Sequence, residues 1–161
     1  MNLKESLTGG VHARLAKLSG EWSGTTKTWF EPDVLADESP MTGLIKPVLG
    51  GRFMLYEYTG SLQEKPFEGL AVIGFDLATS KYQLAWVDSF HMSTAILFSE
   101  GEAGETYRAM GSYFTGHDTP DWFWRTEIEM VDDDNIIITA YNISPEGDEA
   151  KATETRYSRR V

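Results

Sequence analysis

The chain has 161 residues, a formal net charge of −11 and no cysteine. That length suits one domain able to bury a core without staples. The missing cysteines exclude disulfides, thiolate zinc sites and cysteine nucleophiles, and the acidity argues against binding phosphate backbones or anionic membrane surfaces.

Residues 1–10 hold no apolar core of secretory length. No run approaches the ~20 apolar residues of a membrane-spanning helix. The expectation is therefore a soluble, cytoplasmic protein in which residues 1–161 form a single domain.

In chain order, Thr8 to Ser19 reads as a helix. Thr8 is placed to cap it, Val11, Leu15 and Leu18 form an apolar stripe, and Gly20 ends it. A helix this short needs support, so it is expected to brace one end of a barrel. Strands follow at 20–30, at 41–49 with Pro47 near the end, and at 52–59. Between the first two, 31–40 holds two prolines and four acids and reads as a loop. Pro47 suggests an edge or a bulge.

The segment 67–89 is the clearest hairpin, with two β-rich runs around Leu77-Ala78-Thr79-Ser80. On its second strand Tyr82, Leu84, Trp86 and Asp88 share a face, because side chains alternate with period two. Further strands are expected at 92–99, 106–115, 121–131, 136–143 and 149–159. In the third of these, Trp122, Trp124, Thr126, Ile128 and Met130 oppose Arg125, Glu127 and Glu129. About ten strands with short turns predict an all-β, antiparallel up-and-down barrel, whose closure removes exposed edges.

Several segments carry a family resemblance. The run Leu15-Ala16-Lys17-Leu18-Ser19-Gly20-Glu21-Trp22 resembles the Gly-x-Trp opening of calycin-like barrels. Gly50-Gly51-Arg52-Phe53, Pro66-Phe67-Glu68-Gly69, Ile73-Gly74-Phe75-Asp76, Trp86-Val87-Asp88-Ser89 and the terminal Thr155-Arg156-Tyr157-Ser158-Arg159-Arg160 follow in order. Together they resemble a bacterial family catalogued as a domain of unknown function and grouped with the calycins. The resemblance implies a lipocalin-like barrel of about ten strands with a short N-terminal helix and a central cavity. It implies no reaction.

Candidate residues follow from the inward faces. Trp22 reads as a plug at the barrel base, with cavity lining as the alternative. Trp86, Trp122 and Trp124 read either as a stacking box for a flat ligand or as ordinary core. Asp88 is a polar anchor or general base if inward, and a solvated strand-end residue if not. Its expected neighbours are Tyr141, Tyr157 and Arg159. The last two share a face and would suit a carboxylate, unless Arg159 packs over an aromatic ring at the barrel end. Tyr56 and Glu57 lie on opposite faces, and parity leaves open which is inward.

His91 stands at an expected cavity mouth and joins the candidate set, although a free turn histidine is the plainer reading. With His12 and His117 it completes the histidines, and no metal-ligand spacing connects them. Asp132-Asp133-Asp134-Asn135 lacks the spaced ligands of a calcium loop and reads as a hairpin turn. Asn142-Ile143-Ser144 matches a glycosylation sequon by chance. No phosphate loop, dinucleotide fingerprint or nucleophile elbow is present.

The function expected is the binding of a small, apolar or amphipathic ligand in the barrel, without cofactor, metal, nucleic acid or membrane, and compatible with a homodimer. Two alternatives are an enzyme using Asp88 with a raised pKa for acid–base chemistry, and a carrier of haem or another cofactor.

Overall fold

The computed structural model describes residues 1–161. Two short helices, α1 (Leu3–Gly9) and α2 (Val11–Ala16), precede ten strands. These are β1 (Gly20–Glu31), β2 (Val34–Val48), β3 (Phe53–Leu62), β4 (Lys65–Asp76), β5 (Lys81–Asp88), β6 (Leu97–Glu102), β7 (Tyr107–Tyr113), β8 (Trp122–Asp132), β9 (Asn135–Ile143) and β10 (Glu149–Arg159). Each strand pairs antiparallel with its sequence neighbours, and β1 also pairs with β10, which closes the barrel. No edge remains to template pairing with another chain.

Alternation sets the facing. Trp22, Thr26 and Thr28 of β1, Met54, Tyr56 and Tyr58 of β3, Tyr82, Leu84, Trp86 and Asp88 of β5, and Thr155 and Tyr157 of β10 are buried inside. Tyr56 is thus the inward partner and Glu57 faces outward.

The helical region differs from the single helix expected over 8–19. Asn2 caps α1: its side chain accepts from Glu5 N at 3.0 Å while the Glu5 carboxylate accepts from Asn2 N at 2.9 Å. Thr8 is not a cap. Its hydroxyl donates to the Lys4 carbonyl inside α1. The chain breaks at Gly10, which is extended between the helices. A Cβ there would lie 2.8 Å from Ser6 Cα, so the close turn requires glycine. Across it, Ser6 Oγ pairs with His12 Nδ1 at 2.8 Å, and both residues are buried.

β2 begins at Val34, not at Met41. The polar stretch 34–40 is strand because β1 and β2 form a long hairpin, bulged near Thr28 and Trp29 and turning at Asp33 with φ +60°. Acids and Pro40 sit on this ribbon, so composition there mimics a loop. Pro47 pairs with Met54 beyond the last β1–β2 pair, Gly20 with Ile45, where β1 begins. It therefore needs a partner on one side only, without an edge strand. β3 and β4 run on to a two-residue turn at Gln63 and Glu64, both at positive φ. β6 starts at Leu97 rather than Met92, and 89–96 is a connecting loop.

The base of the barrel is sealed. Trp22 is fully buried and its Nε1 donates to the Leu18 carbonyl at 2.9 Å. The Arg159 guanidinium lies 4.3 Å from the centre of the Trp22 ring. It also donates to the carbonyls of Lys17 and Ser19, acceptors left free after α2, and to that of Asp133 in the β8–β9 turn. The opposite end carries the longer loops, 89–96 and 114–121, and is the mouth.

Candidate functional site

The inner faces leave a cavity of about 80 Å³. Its lining has two characters. Tyr56, Tyr58, Phe67, Trp86 and Trp124 form an aromatic side, while Thr26, Thr28, Thr126, Thr153 and Thr155 supply methyl and hydroxyl groups from β1, β8 and β10. Asp88 and His91 complete the polar lining. The indoles of Trp86 and Trp124 stack at 5.6 Å with 20° between planes. The His91 ring lies 5.4 Å from Trp86 and 5.8 Å from Trp124.

A connected polar set crosses the aromatic side. Trp86 Nε1 donates to Tyr58 Oη at 2.7 Å, and the Tyr58 hydroxyl donates to Asp88 Oδ2. Asp88 Oδ1 accepts from the backbone N–H of Phe90 at 2.6 Å and of His91 at 2.9 Å. His91 Nδ1 stands 3.1 Å from the same oxygen, near enough for attraction but not aligned as a hydrogen bond. The Asp88 side chain is fully buried without any lysine or arginine partner.

Burial by itself pushes the Asp88 carboxyl pKa up. The nearby His91, the Tyr58 hydroxyl and the backbone N–H more than offset this and hold it below the ordinary aspartate range. The raised value that acid–base chemistry would want is therefore not what this environment gives. Burial, reinforced by the Asp88 charge, raises Tyr58 far above the usual tyrosine range, so its hydroxyl remains a donor.

Tyr56 and Tyr157 share a hydroxyl–hydroxyl hydrogen bond of 2.7 Å inside the barrel. Tyr157→Phe removes one neutral bond and keeps the ring. Urea unfolding should show a loss of about 1 kcal/mol, and a loss above ~3 kcal/mol would mean that this hydroxyl holds more than Tyr56.

The sequence-derived candidates divide by position. Trp86, Asp88, His91 and Trp124 line the cavity. Trp122 does not reach it. Its strand only begins there, and the residue is 36% exposed at the mouth. Tyr141 faces outward because its parity is opposite to that of inward Ala140, and its ring carries the Arg125 guanidinium at 4.6 Å. Tyr157 points inward but sits behind Tyr56, away from the cavity surface. Arg159 is committed to Trp22 and the base carbonyls, the second of its two readings, and so cannot meet a ligand carboxylate in the cavity.

Tyr56, Tyr58, Phe67 and the threonines were missed. Glu57 and Thr59, polar on the opposite face of β3, were the available signal for Tyr56 and Tyr58. The pairs Thr26/Thr28 and Thr153/Thr155 share parity with Trp22 and Tyr157, which was the signal for the threonine side.

Above the cavity the mouth widens into a vestibule of about 650 Å³. Thr28, His91, Trp124 and Thr153 line both spaces, so His91 and Trp124 stand at the boundary. Trp29, Phe30, Phe90 and Trp122 add aromatic walls. No three His, Asp or Glu side chains converge as metal ligands, and no helix is long and apolar enough to cross a membrane.

Comparison with known proteins assigns the family. The family model described as "Protein of unknown function (DUF1579)" matches residues 8–159. The chain belongs to the DUF1579 family.

A search of the curated proteins finds no match for this DUF1579 chain. Among solved structures, the barrel is similar to Rv2717c from M. tuberculosis, with 12% identity and a TM-score of 0.63, covering 92% of this chain and 96% of that one. A de novo designed fluorescence-activating β-barrel overlaps less well. It has 12% identity and a TM-score of 0.49, covering 93% of this chain and 99% of the design. At these identities the likeness concerns the fold alone.

Proposed function

We propose that this DUF1579 barrel binds a small, mostly apolar molecule that enters through the mouth. The observation that carries the reading is the stacked Trp86–Trp124 pair, which borders an apolar cavity inside a barrel sealed at its base. The cavity of about 80 Å³ is small beside the ~300–1,000 Å³ of drug-sized sites, whereas the vestibule falls in that range. The bulk of the ligand therefore sits against Trp122, Trp124 and His91, and a small apolar end reaches the cavity beside Trp86. A tetrapyrrole is far larger than the inner cavity of about 80 Å³, so the haem alternative receives no support from the interior. The hydrogen bonds of Asp88 are all internal, and its carboxylate serves to hold the Phe90–His91 loop at the mouth.

Native mass spectrometry of freshly purified protein tests for a retained small molecule. A titration with the neutral fluorophore N-phenyl-1-naphthylamine tests the residues. Trp124→Ala should weaken its binding about tenfold, the scale of a lost aromatic contact and its buried area. Arg125→Ala removes partly buried ion pairs to Glu127 and Glu149 and should change the affinity of this neutral probe less than about twofold, because Arg125 lines neither the cavity nor the vestibule. Equal affinity for the wild type and Trp124→Ala would remove Trp124 from the site.

A further inference from the structure

The vestibule has a charge pattern that selects among apolar ligands. Glu31, Asp148, Glu149 and Lys151 stand around its aromatic walls. Its one lysine is already neutralised, because Lys151 Nζ pairs with Glu154 at 2.8 Å. Arg125, beside it, is held by Glu149 through two bonds of 2.6 and 3.1 Å and by Glu127 at 2.9 Å. Glu31 and Asp148 have no cationic partner within ion-pair distance. Below them, Asp88 is a buried carboxylate whose partners are His91, the Tyr58 hydroxyl and two backbone N–H groups, with no lysine or arginine among them. The molecule as a whole carries −11, which attracts cations to the acidic mouth and repels anions.

The walls favour the same sign. Trp29, Phe30, Phe90, Trp122 and Trp124 present aromatic rings to the space, and ring faces attract ammonium groups, most strongly for tryptophan. One such face is already used this way: Lys151 Nζ lies 5.7 Å from the centre of the Trp29 ring. An internal ammonium thus rests against the same wall that a ligand would meet.

We infer that the vestibule is a site for an organic cation, an ammonium bearing a compact apolar group, with the ammonium among the tryptophans and carboxylates and the apolar group toward the cavity. This assignment rests on the ligand-binding reading of the barrel mouth and narrows its ligand class. It excludes carboxylates and phosphates, for which the mouth offers no free cation.

The test compares three benzyl compounds: benzyltrimethylammonium, its uncharged carbon isostere neopentylbenzene, and the smaller anion phenylacetate. Each is titrated by displacement of N-phenyl-1-naphthylamine and by isothermal calorimetry. Benzyltrimethylammonium should bind at least tenfold more tightly than neopentylbenzene, and phenylacetate most weakly. The double substitution Glu31→Gln, Asp148→Asn should reduce the preference for the ammonium to about threefold or less while leaving neopentylbenzene unchanged. Trp122→Leu should weaken the ammonium more than the isostere. Equal binding of the ammonium and the isostere, a preference for phenylacetate, or no binding of the ammonium would overturn the cation assignment. If neopentylbenzene still binds in those cases, the apolar-ligand reading survives alone. If no probe binds and the purified protein retains no small molecule, both fail.

Discussion

Trp22→Ala should destabilise the barrel by about 3–5 kcal/mol, the range for truncating a buried tryptophan. The indole is fully buried at the base, so its loss opens a cavity that the surrounding strands cannot readily collapse. Two further effects add to the lost burial. The Leu18 carbonyl loses its donor at 2.9 Å, and the Arg159 guanidinium loses the ring 4.3 Å beneath it. Urea denaturation at neutral pH measures the change from the midpoint and slope. A loss below ~1 kcal/mol would mean that the base is held by something other than this ring.

Asp88→Asn should cost about 2–3 kcal/mol at pH 7, the scale of hydrogen bonds to a buried charged acceptor. The carboxylate accepts from the Tyr58 hydroxyl and from the backbone N–H of Phe90 and His91. An amide retains one acceptor oxygen and points an NH2 at a donor. The effect has a defined pH dependence. Despite burial, Asp88 has a folded pKa below its ordinary value, owing to His91 and Tyr58. A group depressed on folding contributes stability above its unfolded pKa and loses it as pH falls through the folded one. The gap between wild type and Asp88→Asn should therefore be full at pH 7 and shrink below about pH 4, the unfolded aspartate range. Urea unfolding at pH 7, 5, 4 and 3 reads this directly. A gap independent of pH would show that the charged form is not what the loop requires.

These residues also show where the sequence speaks plainly. β8 could be faced from its sequence because its tryptophans alternate with residues that avoid burial, such as Arg125 and Glu129. Strand pairing around the ring then followed from short turns. β3 was ambiguous because Phe53 and Leu55 make its outer face apolar too, so the tyrosines that build the polar set stayed hidden. The threonines were hidden for a different reason. A methyl and a hydroxyl on one carbon suit either face of a strand. The first half of β2 looked like a loop because both sides of that hairpin ribbon meet water and tolerate acids. The turn at Gln63-Glu64 gave no glycine signal, although both residues adopt positive φ. The site itself depends on contacts across the barrel, such as Tyr58 with Asp88 and Trp86 with Trp124. No local pattern encodes such distances.

Ligand binding of this kind requires an apolar space inside the barrel, reached from the mouth past His91 and Trp124. Xenon tests it without any assumption about the natural ligand, because it enters dry apolar cavities of this kind. The five tryptophans give separate indole N–H signals in a nitrogen-15 correlation spectrum recorded under increasing xenon pressure. Saturable shifts are expected at Trp86 and Trp124, beside the cavity, and none at Trp22, sealed in the base. Unchanged signals at Trp86 and Trp124, or a first response at Trp22, would contradict it.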